Sequence, residues 1–435
     1  MFEQRIDKFK TQVPCFTLTE ICDADDENAI RVSIKSISSK KPFSYFHKPW
    51  LLDKENGIRS EYNLFPIILN TNGSPWALAN LYMLDWLEKG GFVDSLISTA
   101  EDIGAFNHWL NQADDPDVLL THFPPVAIGR VTYRYQAYLM SQIYSKVLDS
   151  NTAARRMLSV LTFYRWLESS KFFIPKNPIC EEKDLTIAFN DEMGFRVQKK
   201  STSSDLRIPN PEALDPFAGT ITDGGKLRPL TATEQQWVFE SVNKLRNTEV
   251  YLIMLFMVTT GARIQSACTL RRKHFENPNP RVSRSIVDGR EEVRIKAGPG
   301  TGIDTKNNKK GLLMLPKDIY DLMHTYVLSH RAKYRCSLTE AGIHTDQYLF
   351  ITKQGSPYFE AKEHTRVFNP NLKRRHFKKG GTIRQFLDDS LIPLIRSTYD
   401  KNFDFRPHDL RASFGMNTES VLINRVYEKK LTHDC

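Results

Sequence analysis

The stretch Arg406-Pro407-His408-Asp409-Leu410-Arg411 has residue types that could handle a phosphate. Pro407 followed by Asp409 reads as a helix start, because proline suits a first helical position and an acid suits the first turn. His408 and Arg411 are three apart and so share a face of that opening turn. A helix N-terminus is positive, an imidazole can pass a proton, and a guanidinium can donate paired hydrogen bonds. Taken alone, such a pair is more often a surface feature.

A second stretch adds weight. Leu252 to Ile264 runs through an apolar segment into Thr259-Thr260-Gly261-Ala262-Arg263-Ile264. The apolar run predicts a buried helix, with Gly261 as its C-cap. Arg263 then opens the next helix, expected over Ile264 to Leu270. A cation delivered by a core helix through a glycine stop is held in a fixed place, as a site requires.

The motifs T-G-A-R-I and H-D-L-R together resemble those of the tyrosine recombinase (phage integrase) family. A hairpin between them is similar too: Val293-Arg294-Ile295-Lys296, a turn region at Gly298-Pro299-Gly300, then Asp304-Thr305-Lys306-Asn307-Asn308-Lys309-Lys310 leading into Leu312-Leu313-Met314-Leu315-Pro316. The resemblance implies that Arg263 and Arg411 clamp the scissile phosphate of DNA. It also implies that Lys306 protonates the leaving sugar oxygen and that His408 assists proton transfer. Chemically, two guanidiniums offset phosphodiester charge and stabilise the transition state. A tyrosine would form a covalent phosphoryl link, conserving the bond energy without ATP. No cofactor and no metal are expected.

Two departures from the family pattern stand out. The acidic residue usual three places after the first arginine is Ser266 here. The segment after the second arginine, which in the family carries a further histidine or tryptophan and then the tyrosine, is expected to be truncated or altered. Tyr427 and His433 are the candidates in this stretch, in the reverse of the family order. Tyr427 is expected on or just after the helix that Arg411 begins, and little or no covalent DNA adduct is expected.

The elements that must position these residues fall into parts. The resemblance implies a fold that is mainly α with a small β-sheet: a helical core-binding (SAM-like) domain plus a mixed α+β integrase catalytic domain. Residues 1–70 are read as an uncertain N-terminal segment with strands at Phe16–Ile21 and Ala29–Ile34, either packed on the next domain or a small DNA-contacting module. Residues 71–180 are read as the helical domain, with Ser74-Pro75 starting one helix and others over 131–148 and 152–170. Thr132, Tyr133 and Arg134 are candidate phosphate contacts, though a solvated face explains them almost as well. Residues 181–228, with their lysine–serine run and prolines, read as a linker. Residues 229–435 form the catalytic part, opening on a capping box at Thr231 and Glu234. It continues with a helix over 316–334 and a short strand at 348–351. The basic run Lys373 to Lys379 is read as phosphate-contacting or as a solvated loop, at even weight.

Composition sets the outer limits. The chain has 435 residues, 40% hydrophobic and 26% charged, an ordinary globular balance. The formal net charge of +9 favours a polyanion partner. No apolar run approaches ~18 residues, so no membrane span is expected. Six cysteines without metal-ligand spacing read as reduced thiols, hence a cytoplasmic setting. The expected function is site-specific recombination or integration for a mobile element, on double-stranded DNA and as a homo-oligomer on it. The alternative is a DNA-binding protein without strand transfer. A type IB topoisomerase shares the chemistry, but the helical domain argues against it.

Overall fold

The computed structural model describes residues 10–26, 29–34, 43–49, 61–190, 196–209, 221–222 and 226–431. The fold is mainly α with small antiparallel sheets, and the chain divides into two compact units. The first comprises residues 1–213 with 368–376, and the second residues 214–367 with 377–435.

In the first unit, β1 (Lys10–Thr17) pairs antiparallel with β5 (Glu61–Ile68), and β2 (Thr19–Cys22), β4 (Phe43–Pro49) and β3 (Ile30–Ile34) form a three-stranded sheet. Five helices follow: α1 (Ala77–Glu88), α2 (Val93–Leu110), α3 (Pro116–Leu120), α4 (Val131–Tyr144) and α5 (Ser150–Ser169). On α5 the stripe Met157, Val160, Leu161, Tyr164 and Leu167 is buried, as its helical spacing requires, and packs with Phe106 and Tyr135. A hairpin, β6 (Glu182–Asn190) with β7 (Arg196–Ser204), lies in the stretch that composition marked as a linker.

Several local expectations shift. Ser74 does not cap α1. Its hydroxyl donates to the Asn72 side chain at 2.6 Å, Pro75 bridges back to Leu69, and the helix opens two residues later. Thr132 is fully buried and donates to the Ile179 carbonyl, so it does not face a phosphate. The Tyr133 hydroxyl donates to Asp205, and burial, together with that bond, pushes its pKa up to about 12. Arg155 is engaged by the buried Asp102 at 3.0 Å.

In the second unit, β8 (Ile221–Thr222) and β9 (Lys226–Leu227) precede α6 (Ala232–Lys244). The Thr231–Glu234 capping box is present as expected. Next come α7 (Thr248–Thr260), α8 (Ile264–Cys268) and the sheet β10 (Val282–Arg284), β11 (Glu291–Ala297) and β12 (Gly311–Pro316), in the order β10-β11-β12. The helix expected over 316–334 is two, α9 (Lys317–Leu328) and α10 (His330–Ser337). Ser329 is extended at the break and caps the second by accepting from the Ala332 N–H. Residues 348–351 form isolated bridges to Arg271 and Pro357, not a strand. The unit closes with α11 (Lys362–Arg366), α12 (Gly381–Phe386), a π-helical turn at Leu387–Leu391, α13 (Ile392–Thr398) and α14 (Asp409–Leu431). Its core centres on α7, whose Leu252, Ile253, Met254, Phe256 and Met257 are all buried.

Candidate phosphate-handling site

Helix α7 ends at Gly261, whose φ of 65° is left-handed and carries little penalty only for glycine. Space demands glycine as well. A Cβ there would lie 2.5 Å from the ring of Phe414 on α14. Two residues on, Arg263 is extended, half-buried and the N-cap of α8.

Helix α14 begins at Asp409, two residues later than Pro407 indicates. The Asp409 carboxylate explains the start. It accepts from the Arg406 N–H at 2.7 Å and from the Arg228 N–H at 3.0 Å, so both of its oxygens are held by main-chain donors. His408 stands just ahead, its carbonyl accepting from the Arg411 N–H. Further along, the Ser413 hydroxyl oxygen accepts from the Leu230 N–H at 2.8 Å, tying α14 to the entry of α6.

Arg411 joins the two motifs. Its guanidinium donates to the carbonyl of Gly261, two residues before Arg263. Arg263, His408 and Arg411 are all half-buried.

Lys306 is exposed on the loop between β11 and β12. That loop is tied to the helix that Arg263 caps: Ser266 donates to the Asp304 carbonyl at 2.6 Å, and Gln265 to its carboxylate at 3.1 Å. Lys362 closes the other side, its ammonium donating to the Thr305 carbonyl and the Asn308 side chain. Asn307 and Asn308 are both left-handed, with φ of 57° and 55°, a conformation asparagine tolerates better than most residues.

Behind the loop is a buried cation that sequence reading missed. Arg271 is fully buried, with its guanidinium 4.0 Å from the Tyr348 ring centroid and bonded to Glu363 at 2.5 Å and to the Gly302 carbonyl at 3.1 Å. His274 accepts from the Arg271 N–H through Nδ1 and donates from Nε2 to the Thr301 carbonyl, which fixes the neutral tautomer. Burial pushes its pKa down to about 4. Nothing in the run Arg271-Arg272-Lys273 separates a buried guanidinium from a solvated one.

Two candidates named for the segment after Arg411 remain to be placed. Tyr427 lies on α14, sixteen residues beyond Arg411, and His433 falls outside the described residues.

No protein-family model matches the chain, and no curated protein does. Among solved structures, the chain is similar to the Tn1549 transposon integrase in complex with transposon right-end DNA, at 15% identity over 78% of this chain and 84% of that one, with a TM-score of 0.41. Two complexes of the same integrase with circular-intermediate DNA are similar at 12% identity, over 78% of this chain and 85% of theirs, with TM-scores of 0.42 and 0.43. At this level the likeness describes a resemblance and carries no weight beyond it.

Proposed function

We propose that the chain is a duplex-DNA-binding protein of the tyrosine-recombinase type, serving integration or recombination of a mobile element as a homo-oligomer on DNA. In this reading Arg263 and Arg411 clamp a phosphate, Lys306 faces the leaving oxygen and His408 manages a proton. The observation that carries it is the hydrogen bond from Arg411 to Gly261. It links motifs about 150 residues apart in sequence, as a shared phosphate needs. The tests are a salt series of duplex binding and the variants Arg263→Ala and Arg411→Ala. Log affinity should fall with log salt, with a slope shrinking by about 0.9 for each phosphate contact removed. Absent or salt-independent binding would end this reading.

The second reading, DNA binding without strand transfer by Tyr427, is favoured by one observation. Tyr427 continues along the helix that carries Arg411 and does not return to its start.

A further inference from the structure

Four hydrogen bonds anchor Asp304, through its N–H, its carbonyl and one carboxylate oxygen. Its N–H donates to the Thr269 hydroxyl at 2.9 Å. Its carbonyl accepts from Ser266 at 2.6 Å. Its Oδ2 accepts from Gln265 at 3.1 Å and from the Lys362 N–H at 2.8 Å. The first three partners belong to α8 and the residue that follows it, and the fourth opens α11. One residue on, the Thr305 hydroxyl donates to the Lys309 carbonyl at 2.6 Å, closing the other end of the turn. Lys306, with Asn307 and Asn308, forms the exposed tip between these two ties.

A carboxylate two residues from a phosphate-seeking lysine is electrostatically unfavourable, since it repels the same phosphate. Its bonds give the compensating reason. We infer that Asp304 is a positioning residue that presets the Lys306 loop before DNA arrives, so that less ordering cost falls on binding. The inference rests on the proposed phosphate role of Lys306. Position 266 supplies only a hydroxyl, which reaches the Asp304 carbonyl. The carboxylate of this brace therefore comes from the loop side.

The two effects of Asp304 have opposite signs, which makes the test clean. Duplex binding of the full chain is followed by fluorescence anisotropy across a salt series for Asp304→Ala, Asp304→Asn, Lys306→Ala and the Asp304→Ala/Lys306→Ala double variant. Lys306→Ala should weaken binding and lower the salt slope by about 0.9, one phosphate contact. Asp304→Ala should do the same, the double variant should lose no more than either single, and Asp304→Asn, which keeps an acceptor oxygen but drops the charge, should bind at least as tightly as the unaltered protein. Gln265→Leu/Ser266→Ala removes two of the four bonds without touching a charge and should reproduce the loss even if Asp304→Ala folds poorly. If Asp304→Ala tightens binding at an undiminished slope, Asp304 acts only as a charge and the inference fails. A Lys306→Ala slope equal to that of the unaltered chain would instead remove the phosphate role of Lys306, and absent duplex binding would remove the parent reading. Either would take the inference with it.

Discussion

The guanidinium of Arg411 hydrogen-bonds to the carbonyl of Gly261, and Phe414, one turn further along α14, fills the space where a Gly261 side chain would stand. The two contacts lock the end of a core helix to the start of α14. The placement of Arg263 depends on that lock, because only Ala262 separates Arg263 from the glycine.

Gly261→Ala should therefore damage both stability and binding. A left-handed non-glycine residue costs about 1–2 kcal/mol, and forcing a methyl against Phe414 adds an overpacking penalty of about 1–3 kcal/mol. Thermal unfolding should register a lower Tm. Adding Phe414→Leu should recover part of the overpacking loss but none of the backbone penalty. A Gly261→Ala protein as stable as the original would mean that the lock is not present in solution.

The buried Glu249 gives a second expectation. Its carboxylate accepts two hydrogen bonds from Arg331 at 2.7 Å and one from the Tyr326 hydroxyl at 2.9 Å, and is ion-paired with Arg335 at 2.9 Å. Burial opposes its charge, yet the arginines and the hydroxyl outweigh burial and leave its pKa below the usual carboxylate value. Glu249→Ala leaves the Arg335 guanidinium buried without its carboxylate and should cost about 3–5 kcal/mol in chemical denaturation. Because the folded pKa is depressed, this contribution is present above the unfolded pKa and is lost as pH falls through the folded one. A loss under ~1 kcal/mol would show that the network relaxes around the deletion.

Much of this was legible in the sequence, where local rules decide the outcome. The glycine stop after an apolar run, the Thr231–Glu234 capping box and the hairpin that carries Lys306 all follow from neighbours a few residues apart. Other features depend on distant partners. Asp409 sets the start of α14 by reaching Arg228, far upstream. Segment 368–376 belongs to the first unit although the second flanks it on both sides. There the Asn369 N–H donates to Asn63 at 3.0 Å and His376 pairs with Gln12. No periodicity marks such a crossing, and the basic run from Lys373 shows only its charge. Ser266 reads as a missing acid until Asp304 is seen beside it.

Acid should weaken the protein before carboxylates titrate, through His274. Its pKa is held down to about 4 by burial, against an ordinary value near 6.5. The unfolded chain therefore binds the proton more readily, so the stability that neutral His274 contributes is complete above pH ~6.5 and is lost as pH falls from there towards ~4. The slope should approach about 1.4 kcal/mol per pH unit, the value for one proton. His364, also lowered by burial and by the Arg271 charge, adds in the same direction. Thermal unfolding across this pH range should show the decline, and His274→Gln should flatten most of it. An equally steep decline in that variant would assign the effect to other groups.

The last expectation concerns the nucleophile. A tyrosine must approach in line with the leaving oxygen, about 3–3.5 Å from the reacting atom, before a phosphate clamp can help it. Tyr427 and Arg411 lie on one continuous helix, sixteen residues apart. At ~1.5 Å of rise per residue their backbones are separated by ~24 Å along the axis. A tyrosine side chain spans only a fraction of that gap, so attack by Tyr427 on a phosphate held by Arg411 of the same chain is not expected. A suicide duplex carrying a nick beside the cleavage position, followed by denaturing electrophoresis, tests this directly. No adduct dependent on Tyr427 is expected from the isolated protomer, and Tyr427→Phe should leave the pattern unchanged. An adduct that disappears in Tyr427→Phe would overturn the expectation. Mixing that variant with an Arg411→Ala chain would then tell which geometry is at work. Restored cleavage in the mixture means the tyrosine is supplied by a second copy, and its absence means that α14 bends back on itself once DNA is bound.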